Sequence, residues 1–130
     1  MKNVQMSHQR ATWWAITIDC NDPRRLAAFW SSLLETPIVE PGPDRPNWLR
    51  LQPLGPAGPY MNFQPVEEQR VGKVRLHLDV LVNDLDAAVE RVRSLGGIDI
   101  GTREELPRGR IAVMSDIEGN EFCLLAPPGQ

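Results

Sequence analysis

Arg75-Leu76-His77-Leu78-Asp79-Val80-Leu81-Val82-Asn83-Asp84 reads as a strand that runs straight into the start of a helix. Side chains alternate along a strand, so Leu76, Leu78, Val80 and Val82 share one face and Arg75, His77, Asp79 and Leu81 the other. The first face is uniformly apolar and is expected to pack on a helix. The second puts a guanidinium, an imidazole and a carboxylate on one wall, an uncommon set for a buried sheet. His77 is one of two histidines, and the other, His8, falls in a polar stretch over residues 1–11 that reads as a flexible arm.

Working outward, Asp84 caps a helix whose apolar stripe is Leu85, Ala88, Val89, Val92 and Leu95, and Gly96-Gly97 stops it. Short strands follow at 98–102, 110–115 and 121–126, the last two joined by the turn Asp116-Ile117-Glu118-Gly119-Asn120. The charge-rich stretch Arg103 to Arg110 reads as a solvated turn or a lid. The same order precedes it. Residues 13–20 alternate as a strand, with Trp14, Ile16, Ile18 and Cys20 on one face and Trp13, Ala15, Thr17 and Asp19 on the other. Asn21-Asp22-Pro23 opens a helix with Asp22 as its N-cap, and Leu26, Phe29, Trp30 and Leu33 form the stripe. Strands are expected at 38–40, 48–52 and 60–64, and 67–72 reads as a linker.

The two strand-to-helix junctions, Asn21-Asp22 and Asn83-Asp84, lie 62 residues apart (83 minus 21). Applied without gaps, that offset sets Leu33 on Leu95 and Pro65 on Pro127. Each half therefore reads βαβββ, over about 12–66 and 73–127. The expected fold is α+β: a curved mixed sheet around a cleft, helices outside, in one domain over 12–127. The offset also sets Ala15 on His77 and Met61 on Cys123, so these four are expected to converge on the cleft.

The chain has 130 residues and a formal net charge of −3, without a block of like charge. That length suffices for a core of its own, and the charge argues against a nucleic-acid surface. No apolar run is long enough to span a membrane, and no signal-peptide pattern opens the chain. Cys20 and Cys123 lack metal-finger spacing and are expected as reduced thiols. A soluble cytoplasmic protein is the expectation.

Three stretches, Asn21-Asp22-Pro23-Arg24-Arg25-Leu26-Ala27-Ala28-Phe29-Trp30, the His77 strand with Asn83-Asp84, and Asp116-Ile117-Glu118-Gly119-Asn120-Glu121-Phe122-Cys123-Leu124, carry a resemblance. Together they resemble the vicinal oxygen chelate superfamily, the glyoxalase and bleomycin-resistance fold. The family's turn usually has proline where Ile117 stands. The resemblance implies the fold and a common habit of pairing as homodimers. It does not fix a reaction, because members include isomerases, lyases, dioxygenases and antibiotic-sequestering proteins. Metal-dependent members place a histidine or carboxylate at each converging position. Here those positions hold Ala15, Met61, His77 and Cys123, and only His77 matches. No catalytic divalent metal and no cofactor are expected, although a His, Cys and Met set would suit a thiophilic ion such as Cu(I).

Two functions stay open. One is a binding protein that holds an organic ligand between Trp13, Trp48, Met61, Phe63, Arg75, His77 and Cys123. The other is a lyase, isomerase or cyclase with His77 and Asp79 as acid and base. Side chains two apart on a strand stand about 6.5–7 Å apart. Two readings of Asp79 stay open: it orients or charges His77, which at full strand spacing needs a roundabout contact, or it pairs with Arg75, or with Thr17 or Asp19 across the cleft.

Overall fold

The computed structural model describes residues 11, 13–53 and 59–128. Of the expected arm, residues 1–10 lie outside the described residues, as do 54–58 of the expected turn. The first half comprises β1 (Ala15–Cys20), α1 (Pro23–Leu34), β2 (Ile38–Val39), β3 (Leu49–Leu51) and β4 (Tyr60–Pro65). The second comprises β5 (Asp79–Leu81), α2 (Leu85–Ser94), β6 (Ile98–Leu106), β7 (Gly109–Ser115) and β8 (Glu121–Ala126). Both halves are thus βαβββ, and the class is α+β. The strands form two four-stranded sheets, ordered β1-β4-β3-β2 and β5-β8-β7-β6. The central strands β1 and β5 are each an outer edge of their own sheet, so the sheet is split at its middle.

Each helix starts where its cap dictates. Asp22 accepts from Arg25 N at 3.2 Å and Asp84 from Ala87 N at 3.1 Å, satisfying donors that the first turn leaves open. Pro23 supplies the first helical residue of α1. The stripes bury Leu26, Phe29 and Trp30 from α1 and Leu85, Val89 and Val92 from α2. Trp30 packs edge-on against Phe122 of β8 with centroids 4.8 Å apart. One core therefore draws on both halves.

The turn after β7 ties the halves together. Asp116 is 1 % exposed. Its carboxylate accepts from Trp30 Nε1 at 3.1 Å, Glu118 N at 2.9 Å, Asn120 N at 3.0 Å and Asn120 Nδ2 at 3.0 Å. Glu118 reaches across to the start of α1, accepting from Asn21 N and Asp22 N at 2.8 Å each. An anionic side chain there also suits the positive end of the helix dipole.

Three local expectations are corrected. The strand expected over 75–84 is only Asp79–Leu81, because the chain bends at residues 75–76. Leu78, Val80 and Val82 pack on the core as expected, but Leu76 is 89 % exposed. The stretch 103–110 is not a loop: β6 runs to Leu106 and pairs with β7 as a long antiparallel hairpin. Its charges belong to an edge strand, where charge and irregularity discourage pairing with other chains. A register shift falls between Asp99 and Arg103, around Gly101 with φ 99°.

Asp99 pins that bulge. Its carboxylate accepts from Arg103 at 2.7 Å, Arg93 at 3.0 Å and Gly101 N at 2.9 Å. The Arg103 hydrogen bond leads in holding the Asp99 carboxyl down at about 2. A carboxyl depressed on folding contributes stability above its unfolded value near 3.9, and loses it as pH falls through the folded value. Asp99→Asn is expected to cost about 1 kcal/mol at neutral pH, because both arginines are well exposed and screened. Urea unfolding at a series of pH values should show the difference from wild type closing between about pH 4 and pH 2. A pH-independent difference would contradict this role.

No helix among the described residues is long and apolar enough to cross a membrane.

Candidate functional site

The register of the strand pairs decides what faces what. In the first half Ile16 pairs with Met61 and Thr17 with Asn62; in the second Asp79 pairs with Cys123. Thr17 to Asp79 keeps the offset of 62 (79 minus 17), but Asn62 to Cys123 is 61 (123 minus 62). One residue is therefore missing between the helix and the last strand of the second half. Side chains alternate with a period of two, so a slip of one turns each of them over.

Met61 consequently shares the face of Ile16 and packs on the core, and Phe63 is 0 % exposed within it. Neither lines the cleft, which corrects both expectations. Asn62 stands where Met61 was expected. The expected gathering of Ala15, Met61, His77 and Cys123 reduces to His77 and Cys123, which the second half does bring together.

His77 Nε2 lies 3.3 Å from Asp79 Oδ1. Of the two readings of Asp79, the structure has the contact with His77, and the bend before β5 explains it. His77 sits outside the regular strand, so full strand spacing does not apply. Donor atoms of His77, Asp79 and Cys123 all lie within 4.8 Å of one another. Burial, then the Asp79 carboxylate, push the Cys123 thiol up, which disfavours a thiolate nucleophile at neutral pH. Cys20 is buried and pushed up to about 12 by desolvation, with Glu118 and Asp116 adding to it. It packs as an inert thiol.

Beside His77, the seam between β1 and the approach to β5 opens into a cavity of about 430 Å³. Its walls are mostly apolar: Trp13, Ile16, Ile18, Leu76, Leu78 and Phe122, with Trp30 also reaching it. Thr17, His77, Asn120, Glu121 and Asp116 supply the polar groups. Asp116 is saturated by the bonds given above, so His77, Asn120 and Thr17 are the groups with capacity to meet a guest. Glu121 is engaged by Lys73 Nζ at 2.7 Å.

Of the residues expected around a ligand, Trp13 and His77 line this cavity. Arg75 lines an adjoining, more polar hollow of about 640 Å³ with Asp19 and Arg70. Trp48 lies in a separate hollow of about 470 Å³ on the first half, with Trp14 and Arg50, and Arg45 stacks over its ring at 4.4 Å. Cys123 sits with Asp79 at the side. Ile16, Ile18 and Leu78 are cavity residues that the sequence assigns to a helix-packing face. Nothing in the alternation marks them, because the split between the sheets is what exposes them.

The four-ligand metal site of the superfamily does not fit these residues. The first half offers Ala15, which has no donor, and Asn62, which bonds Thr17 Oγ1 at 3.3 Å and Arg50 Nε at 2.9 Å.

A family profile described as a glyoxalase-like domain matches residues 15–125. No curated protein matches the chain. Among solved structures, it is similar to a glyoxalase/bleomycin resistance protein/dioxygenase family enzyme from Burkholderia phytofirmans PsJN. That match has 18% identity and a TM-score of 0.73, over 90% of this chain and 99% of the other. It is also similar to TnmS3, an antibiotic-binding protein from Streptomyces sp. CB03234, at 21% identity and a TM-score of 0.60, over 91% and 97%. A third, oxidase ChaP-H2, shares 19% identity with a TM-score of 0.65, over 91% and 94%.

Proposed function

The chain belongs to the glyoxalase-like domain family, and from that premise we propose that it binds a small organic molecule in the cavity between its halves. The observation that carries this is the seam itself: about 430 Å³ walled by apolar side chains with one imidazole at the rim. Such a space suits a flat or compact apolar guest with one polar group, since apolar burial supplies affinity and a few polar contacts fix orientation. TnmS3, a structure of similar fold, is described as binding an antibiotic, which is consistent with sequestration. No step here needs the superfamily's four-ligand metal.

The reading takes residues 12–127 as one domain, because Trp30 and Glu118 bond across the halves. It also takes two copies to pair, because Trp13, Trp14 and Leu81 are more than half exposed on or beside the open edges β1 and β5. Two free cysteines suit a reducing cytosol. A net charge of −3 without a block of basic residues argues against a nucleic-acid partner.

A specific contact supports an enzymatic alternative. The Asp79 carboxylate at 3.3 Å from His77 Nε2 can orient the ring as an acid or base at the cavity rim.

Native mass spectrometry of the purified full chain reads bound organic mass and subunit number together. The binding claim is tested by titrating the protein with anilinonaphthalene sulfonate, an apolar fluorescent anion. Leu76→Asp places a charge in the cavity wall but, at 89 % exposed, leaves the fold intact. It is expected to weaken the probe about tenfold, because the bound probe loses an aliphatic contact and its sulfonate meets a carboxylate of like charge. Unchanged affinity with an unchanged melting curve would overturn the assignment.

A further inference from the structure

We propose that residues 73–76 form a hinged gate on the seam cavity, latched by an ion pair between Lys73 and Glu121, so that a guest enters from the polar hollow beside it. The gate rests on the cavity reading above.

It belongs to the crossover between the halves. Residues 66–78 carry the chain from β4 to β5 without helix or strand. Both ends of that stretch are fastened. Val66 N donates to Cys20 O at 2.9 Å, and Asn21 Nδ2 donates to Val66 O and Glu68 O at 3.0 Å each. Arg70 donates to Gly72 O, and its guanidinium lies against Gly119. At the far end His77 meets Asp79, and Leu78 O accepts from Cys123 N at 2.9 Å. Between these anchors, among the described residues, one hydrogen bond or ion pair ties 73–76 to the sheets: Lys73 Nζ to Glu121 Oε1 at 2.7 Å.

Val74 and Leu76 line both the seam cavity and the polar hollow of about 640 Å³, so they belong to the partition between the two. The other shared walls are Thr17 and Ile18, fixed in β1, and Asn120, held by Asp116. The gate is therefore the part of the partition that can swing. Gly72 takes a φ of 77° with nothing within 4 Å of the place a Cβ would occupy, which makes it a free pivot. Beyond it the chain bends again at residues 75–76. Leu76 is 89 % exposed, so displacing it gives up almost no packing. The latch is light, as a gate requires: its lysine side chain is 72 % exposed, and solvent screens the pair. The Lys73 hydrogen bond leads in holding the Glu121 carboxyl below its usual value, and Arg70 and His77 add to it, so the acid half stays charged at neutral pH.

The test is Lys73→Gln in the full chain, which removes the charge and keeps the length. Stopped-flow fluorescence with N-phenyl-1-naphthylamine, an uncharged apolar probe, reads entry and exit. Both rates are expected to rise about threefold, the weight of one exposed ion pair, while the equilibrium affinity moves less than about twofold. About 1 M salt should quicken the wild type equally and add nothing to the variant. In the free protein, amide relaxation dispersion over 73–76 should show the open population rising about threefold. Glu68→Gln, elsewhere on the crossover, should change none of these. Unchanged rates, an unchanged open population, or affinity lost through exit alone would each overturn the gate and leave the cavity reading standing. Failure of the probe to bind the wild type would sink the cavity reading, and the gate with it.

Discussion

Asp116→Ala is expected to destabilise the protein by about 4 kcal/mol, the largest effect of any single change in the turn. The carboxylate is buried and accepts from four donors: the Trp30 indole, two backbone amides and the Asn120 amide. Removing it leaves all four without an acceptor. Each orphaned buried donor costs about 1–3 kcal/mol, with partial relief where water can enter a cavity that Asp116 itself lines. Trp30→Phe separates the contributions. It deletes one donor, keeps the ring stacked near Phe122, and is expected to cost only about 1–2 kcal/mol. Urea unfolding of the two variants gives both numbers. A loss below about 1 kcal/mol for Asp116→Ala would mean that the halves are not held through this residue.

Gly97→Ala is expected to cost about 3 kcal/mol by overpacking. A Cβ there would lie 2.6 Å from Val92 Cγ1, 2.7 Å from the Ser115 carbonyl oxygen and 3.1 Å from Phe29 Cε1. The Val92 methyl is buried in the core, and the carbonyl belongs to β7. Neither can yield without moving α2 off its sheet. Its neighbour Gly96 has a different task. With φ at 97° it takes the left-handed turn that ends α2, and the nearest obstacle to a Cβ is the Ile117 side chain at 3.2 Å. Gly96→Ala should therefore cost nearer 1 kcal/mol, the backbone penalty. Equal effects in thermal unfolding at the two positions would contradict this division of labour.

The Gly96-Gly97 pair shows what the sequence made legible. It marks a helix stop plainly, yet close approach to β7 is invisible until the sheet is in place. Asp22 and Asp84 were readable as caps because capping is local chemistry. The repeat was readable because both caps precede similar apolar stripes. The offset failed only at the last strand of each half, where a single missing residue flips Met61 and Phe63 into the core and presents Asn62 instead. No local signal records a gap of one within a turn. The contact between His77 and Asp79 was not legible for a related reason. Strand spacing was assumed where the chain bends. The seam cavity was the least legible feature, since it depends on β1 and β5 not pairing with each other. The continuation of β6 through residues 103–106 was hidden by its exposure, because a solvated edge strand has no apolar alternation to read.

The central claim is that the seam between the two sheets is the place where a small molecule is held. NMR amide correlation spectra of the assigned protein, recorded through a titration with anilinonaphthalene sulfonate, test it most directly. The account predicts saturable shifts confined to residues 13, 16–18, 30, 74, 76–78, 116 and 120–122, which wall the cavity, and their immediate chain neighbours. Spectra unchanged at saturating probe, or shifts centred on Trp48, Arg50 and Asn62 around the other hollow, would contradict it.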